Sequence, residues 1–111
     1  MTTVEGTKVK HTHGDTLFLT FPLENEDGTP YVVGEGDTVT FLLRKDPGRA
    51  PVITKTIPTD TLLLTLTAEE TEALGFGPVN GRYVYDVKLE TAEGVVDTVI
   101  NLGELYITDE V

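Results

Sequence analysis

The sequence contains no cysteine and no tryptophan among its 111 residues. The lack of cysteine excludes a disulfide scaffold, thiol chemistry and thiolate metal sites. Aromatic residues make up only 7% of the chain, whereas hydrophobic residues make up 39%. We therefore expect a folded protein whose core consists mainly of valine, leucine and isoleucine.

Long hydrophobic runs are also missing. No apolar stretch approaches the roughly 20 residues that a membrane-spanning helix needs. The first ten residues, MTTVEGTKVK, lack the apolar segment of a signal peptide. We expect a soluble protein that is made in the cytoplasm and has no membrane partner.

Basic residues are scarce, because 8 Lys and Arg stand against 19 Asp and Glu, giving a formal net charge of -11. Nucleic acid and anionic membranes bind proteins that neutralise phosphates with Lys and Arg, so we expect neither as a partner. The charge is uneven, with a net -2 on residues 1–55 and -9 on residues 56–111. Two interpretations stay open. Either the acids keep the surface soluble, or the acidic end of one molecule docks head to tail against a less acidic end of another.

Motifs for catalysis are absent too. The sequence has no GxSxG nucleophile motif, no phosphate-binding loop and no dinucleotide fingerprint. His11 and His13 are the two histidines, and their spacing on a strand would suit two metal ligands. A metal site needs further ligands, so we expect both histidines to be solvated. We predict a protein that is not an enzyme and that holds no cofactor and no metal.

The strongest regular pattern is GRYVYDVKLE at residues 81–90. Tyr83, Tyr85, Val87 and Leu89 alternate there with mainly polar residues. A period of two predicts a strand with one buried face and one solvated face.

Weaker alternation predicts further strands between glycine-containing turns. The strands lie at residues 7–12, 16–21, 31–33, 38–44, 52–57, 62–66 and 95–108, and turns lie at 13–15, 24–30, 34–37 and 45–51. Prolines on both sides of 52–57 favour an edge strand. The apolar phase changes within 95–108, which a bulge near Gly103 would explain. Residues 1–6 are polar, and we expect them to be flexible.

Residues 67–74 carry the only helical pattern, in which Thr67 and Glu70 have the spacing of a capping box. About seven antiparallel strands and one short helix predict an all-β fold, an immunoglobulin-like β-sandwich in a single domain at 1–111. Such folds often have a tyrosine corner at the position of Tyr83. The alternative is that Tyr83 is simply a core aromatic.

The hairpin at 44–55 concentrates positive charge. Half of the basic residues lie in it, namely Arg44, Lys45, Arg49 and Lys55. One interpretation is that these charges keep an exposed sheet edge from pairing with other chains. The other is a subunit-docking patch for an acidic surface on a neighbour.

Taken together, these motifs occur in a distinctive order. The order is Gly14-Asp15-Thr16, an apolar strand, Asp27-Gly28 before Pro30, TVTFLLRK at 38–45, a DPG loop, LTLTAEET at 64–71, GRYVYDVKLE at 81–90 and a last strand containing Gly103. This order resembles the small immunoglobulin-like domains of tailed bacteriophages. In particular, residues 8–110 resemble the N-terminal domain of the phage baseplate upper protein family.

The resemblance implies a non-enzymatic structural or assembly protein of a bacteriophage virion, in the tail, baseplate or neck. It implies that the partners are other virion proteins, further copies of the same chain, or both. The family has no catalytic residues. In the baseplate family a helical, receptor-directed region follows the domain, so we expect an isolated version of the module here.

Two other functions remain open from the sequence. One is a binding module for carbohydrate or a host surface, for which Tyr31 and Tyr106 would be the aromatic candidates. The other is an acidic, phage-encoded inhibitor of a host protein, in which the acidic face mimics nucleic acid.

Overall fold

The computed structural model describes residues 2–5, 7–21, 27, 29 and 33–108. Within these ranges the chain forms eight strands and one short helix. In chain order they are β1 (Thr2–Glu5), β2 (Lys8–Thr12), β3 (Leu17–Thr20), β4 (Thr38–Arg44), β5 (Ile53–Ile57), β6 (Leu63–Leu66), α1 (Ala68–Glu72), β7 (Arg82–Glu90) and β8 (Val96–Thr108). The prediction of a mainly β fold is confirmed.

The strands form two sheets. Six of them are ordered β1-β2-β8-β7-β4-β5, and β3 pairs with β6 in a second, two-stranded sheet. Every pair is antiparallel except β2 and β8, which run parallel. The predicted set of about seven strands, all antiparallel, is therefore wrong in both the number of strands and the direction of one pair.

One apolar core lies between the two sheets. Phe21, which follows β3, has its ring centroid 6.2 Å from that of Phe41 on β4 and 6.0 Å from that of Tyr85 on β7. The predicted inward residues of β4, β6 and β7 are buried: Val39, Phe41, Leu43, Leu64, Leu66, Tyr83, Tyr85, Val87 and Leu89. Alternating apolar side chains thus give the large sheet an inner face, towards β3 and β6, and an outer face.

The N-terminal segment differs from the prediction. Residues 2–5 form β1, which pairs antiparallel with β2 from Thr2 opposite His11 to Glu5 opposite Lys8. Residues 2–5 therefore form a strand where none was predicted, and the expected flexibility of residues 1–6 stays a prediction. The predicted strand at 31–33 and the turn at 24–30 lie mostly outside the described residues.

Helix α1 begins with the predicted capping box. The Thr67 hydroxyl accepts the Glu70 N–H at 3.2 Å, and the Glu70 carboxylate accepts the Thr67 N–H at 2.9 Å. Buried Thr71 donates from its hydroxyl to the Asp15 carbonyl at 2.8 Å. The short helix is thereby attached to the turn that joins β2 to β3.

The predicted bulge in the last strand is also present. Tyr85 faces Gly103, but the next pair is Val87 with Ile100, so two residues of β8 oppose the single residue Asp86. A Cβ atom at Gly103 would overlap the Tyr85 ring. The ring occupies the space that glycine leaves, and its hydroxyl donates to the Thr7 carbonyl at 2.7 Å.

Candidate functional site

The predicted docking hairpin begins with a well-paired arginine. Arg44 Nη1 lies 2.7 Å from Asp86 Oδ2, with side chains only 19% and 15% exposed. Its Nε also donates to the Arg49 carbonyl at 2.9 Å. Because Arg44 pairs in register with Val84, both side chains lie on the outer face. Arg44 thus holds β4 against β7.

The other three cations of the hairpin have partners as well. Lys45 Nζ donates to the carbonyls of Val79, Asn80 and Arg82 at 3.3, 2.9 and 2.9 Å. Arg49 Nε lies 3.5 Å from Asp46 Oδ2 on the exposed loop. Lys55 Nζ lies 2.7 Å from Glu70 Oε1.

Lys55 also lies apart from the rest of the hairpin's cations. It faces Phe41 in register, on the inner side of the sheet, whereas Arg44 lies on the outer side. The structure therefore does not bring the four cations to one surface. A docking role for this hairpin stays a prediction.

Tyr83 has features of both a core aromatic and a tyrosine corner, the two interpretations of the sequence. Its ring is buried, and its hydroxyl accepts the Gly75 N–H at 2.8 Å, eight residues upstream. Lys45 Nζ lies 4.7 Å from the centroid of the same ring. The hydroxyl thereby fixes the loop that leads from α1 into β7. Its assignment as a tyrosine corner stays a prediction, together with the immunoglobulin-like fold.

The prediction that both histidines are solvated is wrong for His11, whereas His13 is partly exposed. His11 is only 1% exposed, and its Nε2 donates to the Asp15 carbonyl at 2.8 Å. His13 Nε2 donates to the Glu72 carbonyl at 2.9 Å, and its ring centroid is 4.6 Å from that of Phe76. Both side chains fix the region around α1. Among the described residues, no group of three or more His, Asp or Glu is arranged to hold a metal ion.

A different cluster of cations lies on the outer face around Tyr106. Lys8 Nζ is 5.1 Å from the centroid of the Tyr106 ring, and Arg82 Cζ is 5.9 Å from it. Lys10 is the register partner of Tyr106 on β2. The Tyr106 hydroxyl donates to the Glu104 carboxylate at 3.0 Å. We call these five residues the Tyr106 surface.

Strand order brings this surface together. Parallel pairing places Lys8 beside Glu104 and Lys10 beside Tyr106, and antiparallel pairing places Arg82 on the other side of Tyr106. Alternation in the sequence indicates only that each residue is on the polar side of its own strand. It does not show that β2 and β7 flank β8, and sequence reasoning missed the surface for that reason.

Two shallow concavities adjoin the Tyr106 ring. One, of about 420 Å³, is lined in part by Arg82, Val84 and Glu104. The other, of about 300 Å³, is lined in part by Lys10 and Pro78. Tyr106 contributes to the lining of both.

The Tyr106 surface is positive in a strongly acidic protein. Its three cations face one carboxylate, Glu104, although the whole chain carries -11. On the neighbouring strand β1, Glu5 is the register partner of Lys8. Cations beside an aromatic ring favour a partner that presents carboxylates together with apolar groups.

Comparisons with known proteins do not add to this description. No family model, curated protein or solved structure matches the chain. In the described part of the chain, no helix is long and apolar enough to cross a membrane. The resemblance to phage domains accordingly stays a prediction.

Proposed function

We propose that this chain is a non-enzymatic docking module of a bacteriophage particle, in the tail, baseplate or neck. The observation that supports it best is the Tyr106 surface, an exposed cationic and aromatic area on a chain of net charge -11. A surface of that kind suits an acidic neighbouring protein and disfavours incorrect partners. The order of motifs that resembles phage domains adds the virion context.

The fold proposed for the module is an immunoglobulin-like β-sandwich. Two sheets enclosing one core and a short helix between β6 and β7 support it. The bond from the Gly75 N–H to the Tyr83 hydroxyl supports it further, because it links a tyrosine near the start of a strand to the upstream backbone.

The edges of the large sheet support an assembled state. Within the described residues, β1 and β5 each have a strand on one side only. Exposed edges favour pairing with other chains, and proteins cover or block them. Assembly with neighbouring virion proteins, or with further copies, would cover these edges.

The direct test is whether the chain is part of particles. Particles released from cells that carry the gene are purified on a density gradient, and the chain is quantified by mass spectrometry. We expect it to co-sediment with tail proteins in a fixed ratio. Recovery only in the soluble fraction would contradict the proposal.

A pair of variants connects the test to the surface. Arg82→Glu reverses a charge at the Tyr106 surface, and Lys88→Glu reverses one on the outer face of the same strand. We expect Arg82→Glu to lower incorporation and Lys88→Glu to leave it unchanged. Equal incorporation of both variants would remove the Tyr106 surface from the proposal.

Carbohydrate binding is the second candidate function. It is favoured by the position of Tyr106 between two concavities, because sugars bind to aromatic platforms beside polar groups. Tyr31, the other sequence candidate, lies outside the described residues. A glycan array checks this function: binding that Tyr106→Ala abolishes would support it, and a blank array would exclude it.

A further inference from the structure

The far end of the large sheet carries the opposite charge. There the 91–95 turn joins β7 to β8, and the neighbouring 34–37 turn precedes β4. The exposed acidic and valine residues of this end, which we call the acidic tip, are Glu35, Glu90, Glu93, Val95, Val96 and Asp97. Val95 and Val96 are 60% and 57% exposed, so the tip presents carboxylates next to apolar side chains.

Hydrogen bonds fix the shape of the acidic tip. Asp37 joins its two turns by accepting the Ala92 N–H at 3.2 Å and the Gly34 N–H at 2.8 Å. Within the hairpin, the Thr91 N–H donates to the Val95 carbonyl at 2.8 Å. A preorganised loop loses less conformational entropy when it docks than a disordered loop does.

The acidic tip and the Tyr106 surface cannot meet within one molecule. Strand β8 runs from Val96 at the tip to Tyr106 at the other end. At about 3.3 Å per residue the two are roughly 30 Å apart along the strand. The molecule is elongated, with extents of 43 × 26 × 25 Å.

We propose that the partner of the Tyr106 surface is the acidic tip of a second copy of this chain, so that copies associate head to tail. This inference rests on the proposed docking function. The tip's four carboxylates complement Lys8, Lys10 and Arg82, and its two valines supply an apolar contact for the Tyr106 ring. Such a contact is heterologous, and repeating it generates a ring or a filament.

Reversing the charge of each surface separately tests the contact. One variant carries Glu90→Lys, Glu93→Lys and Asp97→Lys, and the other carries Lys8→Glu, Lys10→Glu and Arg82→Glu. Sedimentation velocity over a range of concentrations measures the mass. We expect the wild type to self-associate at low salt, and each variant to do so roughly a hundredfold more weakly, because like charges then face each other.

Mixing the two variants is the decisive step. Each variant retains one intact surface, and the reversed tip of one variant carries the charge opposite to the reversed Tyr106 surface of the other. An equimolar mixture should therefore regain association, with the two variants alternating. A chain that carries both sets of reversals should self-associate again. Melting curves verify that the variants fold. If a triple variant does not fold, a milder single variant of the same surface replaces it: Arg82→Gln for the Tyr106 surface, or Glu93→Gln for the acidic tip.

Two results would overturn the inference. One is a wild type that stays monomeric at every concentration and salt, and the other is a mixture of variants that associates no more strongly than either variant alone. One of these results could occur while the Lys8/Lys10/Arg82 variant is absent from particles. The Tyr106 surface would then still dock in the particle, but its partner would not be a second copy of this chain. If that variant is incorporated normally, the Tyr106 surface is not the docking surface, whereas a wild type absent from particles would overturn the docking function itself.

Discussion

The inner and outer faces of the six-stranded sheet are formed by the same strands but depend on different properties of the sequence. The inner face is a continuous apolar layer that includes Phe41, Tyr85 and Leu105. The outer face presents Arg82, Glu104 and Tyr106 to solvent, where they are held by pairing between strands. We therefore expect changes on the inner face to lower stability and changes at the Tyr106 surface to alter the proposed docking.

The largest effect is expected on the inner face at Tyr83. Tyr83→Ala should lower the free energy of unfolding by about 3 kcal/mol or more, because it removes a buried ring and leaves a cavity. Tyr83→Phe keeps the ring and removes only the hydroxyl that accepts the Gly75 N–H, so it should cost about 1 kcal/mol. Urea unfolding measures both, and an unchanged midpoint for Tyr83→Ala would show that the ring is not part of the core.

The Gly103 bulge should be the next most sensitive position. Gly103→Ala places a methyl group where the Tyr85 ring lies, and we expect a loss of about 2 kcal/mol from overpacking. Gly34→Ala is the matched control, since a Cβ there would meet only Asp37 Oδ2, at an ordinary 3.6 Å. Thermal unfolding that gives equal losses for both variants would mean that the Tyr85 ring moves aside easily.

One outer-face position should affect stability to an intermediate degree. Arg44→Glu places a carboxylate beside the largely buried Asp86, so we expect a loss of about 1–2 kcal/mol, reduced by the remaining exposure. Arg49→Glu is the control, because its side chain is 73% exposed and should cost less than about 0.5 kcal/mol. Similar unfolding midpoints for the two variants would show that the Arg44–Asp86 pair does not stabilise the sheet.

Alkaline pH should act on the inner face through Tyr85. Burial raises the pKa of its hydroxyl to about 12, whereas an unfolded tyrosine titrates near pH 10. The stability that this difference contributes is fully present below about pH 10 and is lost as the pH rises through about 12. Between about pH 10 and 12, the melting midpoint should fall less steeply with pH in Tyr85→Phe than in the wild type. Parallel curves for the two proteins would show that Tyr85 does not have a raised pKa.

The smallest change in stability is expected at Tyr106. Tyr106→Ala on the outer face should change the free energy of unfolding by less than about 1 kcal/mol while it weakens docking. Urea unfolding and sedimentation on the same sample separate the two effects. A stability loss as large as that of Tyr83→Ala would mean that the two faces do not differ in the way proposed.

Local patterns in the sequence predicted the features that depend on near neighbours. Alternation was sufficient to assign Val39, Phe41 and Leu43 to the core, and the spacing of Thr67 and Glu70 was sufficient for the helix cap. The phase change in the last strand located the bulge. Each of these depends on side chains within a few residues of one another.

Features that depend on distant pairing could not be read from the sequence. β1 is short and polar, and β2 combines Val9 with a buried histidine, so neither strand has a clear apolar face. His11 does share the phase of Val9, which was the available indication that it is buried. The Tyr106 surface required the strand order, which no local pattern contains.

The parallel pairing of β2 with β8 has a consequence for the timing of folding. The Thr108 hydroxyl donates to the His11 carbonyl across a separation of 97 residues. Contacts so distant in sequence form slowly, because a long loop must close before they are made. A nascent chain in which β8 is still inside the ribosome therefore has no Tyr106 surface. Under the proposed docking function, only a fully synthesised domain would bind a neighbour there, and premature association during translation would be avoided.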